Sequence, residues 1–271
     1  MLLSGNNFIT FTFFIEGKQM DLKLKGNKAL VTGGTKGIGR AIVEALSDEG
    51  CDIAVCARTD ADVQACVASL KEKGINAFGR GFDVGNADEL KSFITDAGKE
   101  LGGIDTFVSN VSGGNAGGEE GWRANFEYDV MGAVRGVEAI APLLEASNNA
   151  SIAMISSTAA LEKFIAPSAY NAMKAAVIQY AGALAQEMGP KGVRVNAICP
   201  GPIMIEGGSW DKIKQGMTAF YDATVAEIPV GRMGSAEEVA AQIALLASPM
   251  GAFTTGANIV IDGGFTKRIQ Y

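Results

Sequence analysis

From residue 28 onward, short apolar and β-branched runs alternate with longer stretches whose apolar positions recur at helical spacing. The runs at 28–32, 52–57, 104–109, 151–156, 193–198 and 258–261 read as strands, with a weaker one at 76–82. Their near-continuous apolar character suits strands covered on both faces. Helical patterns occupy 37–49, 60–73, 87–101, 122–146, 168–188 and 235–247. In the first, Ile38, Ala41, Ile42, Ala45 and Leu46 form an i, i+3, i+4, i+7, i+8 stripe. This alternation predicts a Rossmann-like α/β fold, a doubly wound sheet of about seven parallel strands with helices on both faces and right-handed crossovers. Such sheets bind ligands beyond the carboxyl ends of their strands.

A chain of 271 residues can bury one large core. The expected organisation is a single domain over 21–271, with residues 1–20 outside its core. The aromatic run at 6–18 precedes no small-residue cleavage site, and the first lysine, Lys18, follows it, the reverse of a secretory signal. An extension ahead of a natural start near Met20 is expected, with a sheet-edge or oligomer contact as the alternative. Against 23 basic side chains stand 30 acidic ones, a net charge of −7. That balance argues against nonspecific binding to nucleic acid or anionic membranes. No apolar run is long enough to span a bilayer. The four cysteines, Cys51, Cys56, Cys66 and Cys199, contain no C-x-x-C pair and are expected to be reduced packing residues in a cytosolic protein.

Histidine is absent. Ser-His-Asp hydrolysis, Cys-His proteolysis and His-ligated zinc are therefore excluded, and no metal site is expected. A proton carrier must be sought elsewhere. Tyr170 and Lys174 stand four apart in a helical pattern and share a face. A cation beside the hydroxyl favours phenolate and brings tyrosine toward general acid-base work. Ser157, at the carboxyl end of the 151–156 strand, is placed to donate a hydrogen bond to a substrate oxygen.

The turn TGGTKGIG at 32–39 joins the first strand to the first helix. Gly33 permits the tight exit, Gly37 a close approach of phosphate to backbone, and Gly39 close helix-strand packing. Thr35, Lys36 and Ile38 complete the turn, and the helix N-terminus offers N–H donors to a pyrophosphate. The spacing is G-x-x-x-G-x-G rather than G-x-G-x-x-G.

That variant resembles the short-chain dehydrogenase/reductase family, and the resemblance extends from about residue 24 to the C-terminal end. Asp83-Val84 resembles the family's adenine-contacting acid, and residues 109–113 its N-N-A-G segment, with Asn110 and Gly113 kept. Ser157, then Tyr170-x-x-x-Lys174 thirteen residues on, resemble its catalytic residues. The run 196–201, ending Pro200-Gly201, and the run 261–264 resemble its closing turns, with Ile203 also at the cofactor. The resemblance implies a nicotinamide cofactor whose ribose Lys174 holds, and interconversion of a carbonyl and an alcohol with Tyr170 as acid or base. The alternative is a catalytically weakened cofactor-binding sensor or scaffold on the same fold.

Cofactor choice follows from the end of the second strand. Ala57 stands where an acid would bind the ribose diol, and Arg58 follows; with Lys36, two cations favour NADP(H). Two solvated surface charges are the plainer alternative. Asp60 and Asp62 are expected to cap and charge the next helix. Two departures from the family stand out: Asp129 occupies a relay position usually held by asparagine, and Ile205 replaces a frequent threonine. An ordinary helical aspartate is an equal reading of Asp129. Residues 205–229, with Trp210, Met217, Phe220 and Tyr221, resemble a substrate lid, with 112–122 expected as the opposite, flexible wall, although the aromatics suit the buried face of a short helix equally well. Arg135 matches one basic position that carrier-protein reductases use, while Gln186 does not match another. The Ala- and Gly-rich helix 168–188 resembles the family's dimer face, which implies a homotetramer or homodimer; dense packing within the chain is the alternative.

Overall fold

The structure, a computed structural model, describes residues 21–163 and 166–268. The expected extension at 1–20 lies outside the described residues. Seven parallel strands form one sheet: β1 (Lys28–Thr32), β2 (Asp52–Ala57), β3 (Ala77–Gly81), β4 (Thr106–Ser109), β5 (Ser151–Ile155), β6 (Arg194–Pro200) and β7 (Asn258–Ile261). Their order is β3-β2-β1-β4-β5-β6-β7. The chain winds outward from β1 to β3, returns past β1 to β4, and winds the other way. The direction of winding therefore reverses between β1 and β4, which opens a crevice at their carboxyl ends.

Two apolar layers flank the sheet, as the side-chain alternation of strands requires. On one face Val31, Val55 and Ile198 meet Ile42, Val43 and Leu46 of α1 (Gly37–Asp48), Val63 and Val67 of α2 (Asp60–Glu72), and Val239 and Ile243 of α9 (Ala236–Ala247). On the other, Leu30, Phe107, Ile152 and Val195 meet Phe93 and Ile94 of α3 (Ala87–Leu101), Ile140 and Leu144 of α5 (Gly132–Glu145), and Val177 and Leu184 of α6 (Ala169–Met188). Neighbouring residues such as Leu30 and Val31 thus serve opposite layers.

Local signals set the helix starts. Asn86 accepts the N–H groups of Asp88 and Glu89 ahead of α3. Ser168 accepts that of Asn171 ahead of α6. Ser235 and Glu238 form a reciprocal capping box on α9.

The pattern at 122–146 predicts one helix, and the structure divides it. α4 (Gly118–Asn125) starts earlier, a π-helical turn spans Phe126–Met131, and α5 continues. A π turn inserts extra backbone and changes which side chains face inward. Here it carries Asp129 into the interior, with 3% of its surface exposed. The expected lid contains two helices, α7 (Ser209–Gly216) and α8 (Thr218–Glu227). All four cysteines are free and buried.

Candidate active site

The glycine turn leaves β1 at the crevice. Gly33 and Gly37 adopt left-handed backbone angles, φ 67° and 57°, which cost glycine little. A Cβ on Gly39 would overlap the Gly33 carbonyl oxygen and fall 2.5 Å from Asn110 Nδ2. Asn110 fastens this turn to the end of β4. Its amide donates to the carbonyls of Thr32 and Gly33 at 3.1 and 3.2 Å, and its backbone N–H to Thr32 Oγ1 at 3.0 Å. Thr35 and exposed Lys36 lead into α1, whose first N–H groups have no partner within the helix.

These residues fit a dinucleotide phosphate. Gly33, Gly37 and Gly39 let the turn pack tightly at the head of α1, whose N–H groups and positive end suit an anion. Arg58 is exposed beyond β2, and no acid ends that strand. Lys36, however, is paired. Its Nζ lies 2.8 Å from Asp62, so Asp62 does more than charge the first turn of α2. Asp60 also has a further role, accepting the Gly81 N–H at 2.9 Å. Of the two cations, Lys36 therefore already has an acid beside it.

Asp83 lies in the loop between β3 and α3. It accepts the Gly85 N–H and the Tyr128 hydroxyl, each at 2.9 Å. The carboxylate as hydrogen-bond acceptor holds Tyr128 protonated and pushes its ionisation up. Val84 is buried beside it. Tyr128 escaped the sequence reading, because nothing in the π turn's spacing aims it at Asp83.

The other end of the crevice is a cavity of about 570 Å³. Ile38, Asn110, Ser157, Tyr170, Lys174, Pro200, Gly201 and Ile203 all line it. Ser157 caps the short turn after β5, its Oγ accepting the Ala159 N–H at 3.1 Å. That orientation leaves the hydroxyl proton free to donate. α6 brings Tyr170 to the wall and carries Lys174 inward, where its Nζ lies 5.7 Å from the Tyr170 ring centroid. Lys174 donates to the Ile155 carbonyl at 2.7 Å. Its Nζ is also 2.8 Å from Asp129 Oδ1, with both side chains within 3% of complete burial. Asp129 Oδ2 accepts the Gly113 N–H at 2.9 Å. Asp129 thus lies behind the cavity wall, joined to Lys174.

Asn171, Ala166 and Phe265 also line the cavity, and the sequence reading missed them, whereas Ser112 and Asn115 come from the 112–122 run expected opposite the lid. All five come from three loops and a helix start, which no local period connects. Of the aromatic and Met residues of the expected lid, Trp210 reaches the wall, stacked on Phe220 at 6.1 Å; Ile205, Ser209 and Ile213 of the same segment join it. Met217 is 58% exposed, and Tyr221 lies under Lys214. Arg135 is engaged elsewhere, bonded to Glu127 and the Gly85 carbonyl. The loop after β5 is tied to the C-terminal segment, since Glu162 Oε1 accepts the N–H groups of Lys267 and Arg268 at 2.8 Å each. Among the described residues no group of three His, Cys, Asp or Glu could hold a metal, and no helix is long and apolar enough to cross a membrane.

Comparison with known proteins agrees with this geometry. A family model described as enoyl-(acyl carrier protein) reductase matches residues 33–266. Isoepoxydon dehydrogenase patN of Aspergillus clavatus is 38% identical over 253 residues, 92% of this chain and 98% of that protein. The L-sorbose reductase of Gluconobacter frateurii, solved with NADPH and L-sorbose, superposes with a TM-score of 0.84 at 28% identity, over 92% of this chain and 100% of that one. A short-chain dehydrogenase of Burkholderia cenocepacia in complex with NADP gives 0.80 at 27%, over 89% and 98%.

Proposed function

The chain belongs to the short-chain dehydrogenase/reductase family, and from that premise we propose that it reduces a small, uncharged, oxygen-bearing ketone with NADPH, Tyr170 acting as general acid. The observation that carries this reading is the shared cavity of Ser157, Tyr170 and Lys174 next to the glycine turn.

Residues 33–39 would hold the pyrophosphate, Arg58 and Lys36 the 2′-phosphate, and Asp83-Val84 the adenine. NADPH, when bound, supplies the hydride. Ser157 donates a hydrogen bond to the carbonyl oxygen and stabilises the charge that grows there. Tyr170 gives its proton to the same oxygen. Lys174 fixes the ribose and keeps a positive charge beside the tyrosine ring, which favours the departure of that proton. In the reverse direction Tyr170 accepts the alcohol proton.

The wall describes the substrate. Ser112, Asn115 and Asn171 offer uncharged hydrogen-bonding groups, opposite Ile205, Trp210, Ile213 and Phe265. Among the described lining residues Lys174 is the only charged one, and Asp129 faces it. An anionic substrate would find no free counter-charge there, whereas a hydroxylated carbonyl compound would satisfy both walls. The names of the patN dehydrogenase and the sorbose reductase support a compound of this kind. Helices α7 and α8 serve as the lid in this reading. A cytosolic location belongs to it, as does a dimer or tetramer formed through the outer face of α6, which sedimentation would measure.

NADPH consumption against ketoses, hydroxylated cyclic ketones, keto acids and 3-oxoacyl thioesters tests the proposal. Turnover is expected with the neutral hydroxylated compounds. Activity confined to keto acids or thioesters would overturn the substrate class. Tight NADPH binding with no turnover across the panel would favour a sensor.

A further inference from the structure

The ion pair behind the cavity wall has a role of its own, resting on the assignment of Lys174 to the cofactor ribose. Asp129 contacts two different parts of the site. Oδ2 accepts the backbone N–H of Gly113, inside the loop that supplies Ser112, Gly114 and Asn115 to the substrate wall. Oδ1 lies 2.8 Å from the Lys174 ammonium. Both groups are buried, so the contact is charge-assisted and shielded from solvent. Of the ammonium's three donors, one goes to the Ile155 carbonyl and one faces Asp129, which leaves one for a ligand in the cavity that Lys174 helps to line.

Position and rigidity support the same conclusion. Asp129 is delivered by the π turn, its side chain wholly buried. Gly113 is pressed against the start of that turn, and a Cβ there would fall 2.6 Å from the Ala124 carbonyl carbon and the Asn125 N–H nitrogen. Asn125, buried one helical turn earlier, donates to the carbonyls of Gly114 and Gly121 at 3.0 and 2.8 Å. The loop is thus held at adjacent residues, Gly113 by Asp129 and Gly114 by Asn125. Only the Asp129 hold also reaches the lysine. Cut off from water, the pair resists separation, because either partner alone would be left buried and uncompensated.

We propose that Asp129 is a positioning residue that couples Lys174 to the Gly113 backbone, so that the ammonium holding the cofactor ribose and the Ser112–Asn115 substrate wall keep one fixed relation. The carboxylate supplies two separable things: an anion for the lysine and an acceptor for the loop.

Two variants separate them. Asp129→Asn keeps an acceptor for Gly113 and removes the anion; Asp129→Ala removes both. NADPH affinity is read by fluorescence titration, with no substrate present, and kcat and KM are read with a ketone that the panel identifies. Asp129→Asn is expected to weaken NADPH binding and lower kcat by about 10- to 100-fold, the scale of misplacing groups at a reacting centre, with the ketone KM nearly unchanged. Asp129→Ala is expected to raise the ketone KM as well. In a Lys174→Met background, Asp129→Asn should no longer change NADPH affinity, since no ammonium is left to position. A purely structural role would lower the melting temperature and kcat together in both variants and leave the KM values alike. That result, or unchanged NADPH affinity and kcat in a folded Asp129→Asn, would overturn the proposal. Loss of the proposed function itself would appear separately, as full turnover in Tyr170→Phe.

Discussion

Lys36 and Asp62 are joined at the cofactor end of the crevice, Nζ to carboxylate at 2.8 Å, with 77% of the lysine side chain exposed. An exposed pair of this kind contributes little to stability, so it can be exchanged for a better anion. The 2′-phosphate of NADPH is such an anion, and Asp62 competes with it for the lysine. Asp62→Asn is therefore expected to tighten NADPH binding by roughly two- to five-fold, the scale of an exposed ion pair. Lys36→Ala and Arg58→Ala should each weaken it by about tenfold, the loss of one charge-assisted contact, with NADH affinity little changed. Fluorescence titration with both cofactors checks all three. Equal losses for NADH and NADPH would remove the phosphate from the explanation.

Tyr170→Phe keeps the ring and removes the proton. Ketone turnover is expected to drop by about 100- to 10,000-fold, the usual contribution of a placed acid, while NADPH titrates as in the parent protein. Ser157→Ala should lose less than Tyr170→Phe in kcat, since its hydroxyl stabilises charge without transferring a proton.

Gly39→Ala drives a methyl group into the Gly33 carbonyl and toward the Asn110 amide. Overpacking of this kind costs about 1–3 kcal/mol. The melting temperature should fall, and NADPH affinity with it, because the obstructed atoms belong to the phosphate turn. A variant of unchanged stability and affinity would mean that the turn has room to spare.

The thiols give a prediction that depends on pH. Burial pushes Cys51 and Cys56 up to about 12 and Cys199 to about 11, and it also raises Cys66. A raised thiol stays protonated below its folded-state value, and the thiolate is the reactive form. At pH 8 the native protein should give almost no colour with a disulfide reagent, and the unfolded chain should release four equivalents, one for each free cysteine. Rapid reaction of even one thiol in the native state would show an opening to solvent at that strand or helix.

The sheet was readable because its inner strands, β1, β2, β4, β5 and β6, are mostly buried and largely apolar, which separates them cleanly from amphipathic helices such as α1. The Ser157, Tyr170 and Lys174 set was readable because helical spacing and a strand end place those residues without reference to distant loops. Asp129 was visible as an unusual residue, yet its partner was not. The sequence pattern reads as one helix through 122–146, and only the π turn, a departure from that period, sends the carboxylate inward to Lys174. Asp62 shows the same limit at the surface, where its contact with Lys36 joins a turn after β1 to a helix after β2. Phe265 and Ala166 reach the cavity through loop geometry, which hydrophobic periodicity does not encode.

The hold of Glu162 on the backbone of Lys267 and Arg268 makes the placement of an affinity tag a functional variable. A tag inserted shortly after Arg268 lies within a few residues of the clamp, and the clamp braces the loop that starts from Ser157. A bulky group there would pull on the substrate wall rather than hang clear of it. Kinetic constants for this enzyme are best taken from protein in which the residues around Lys267 and Arg268 are left as they are.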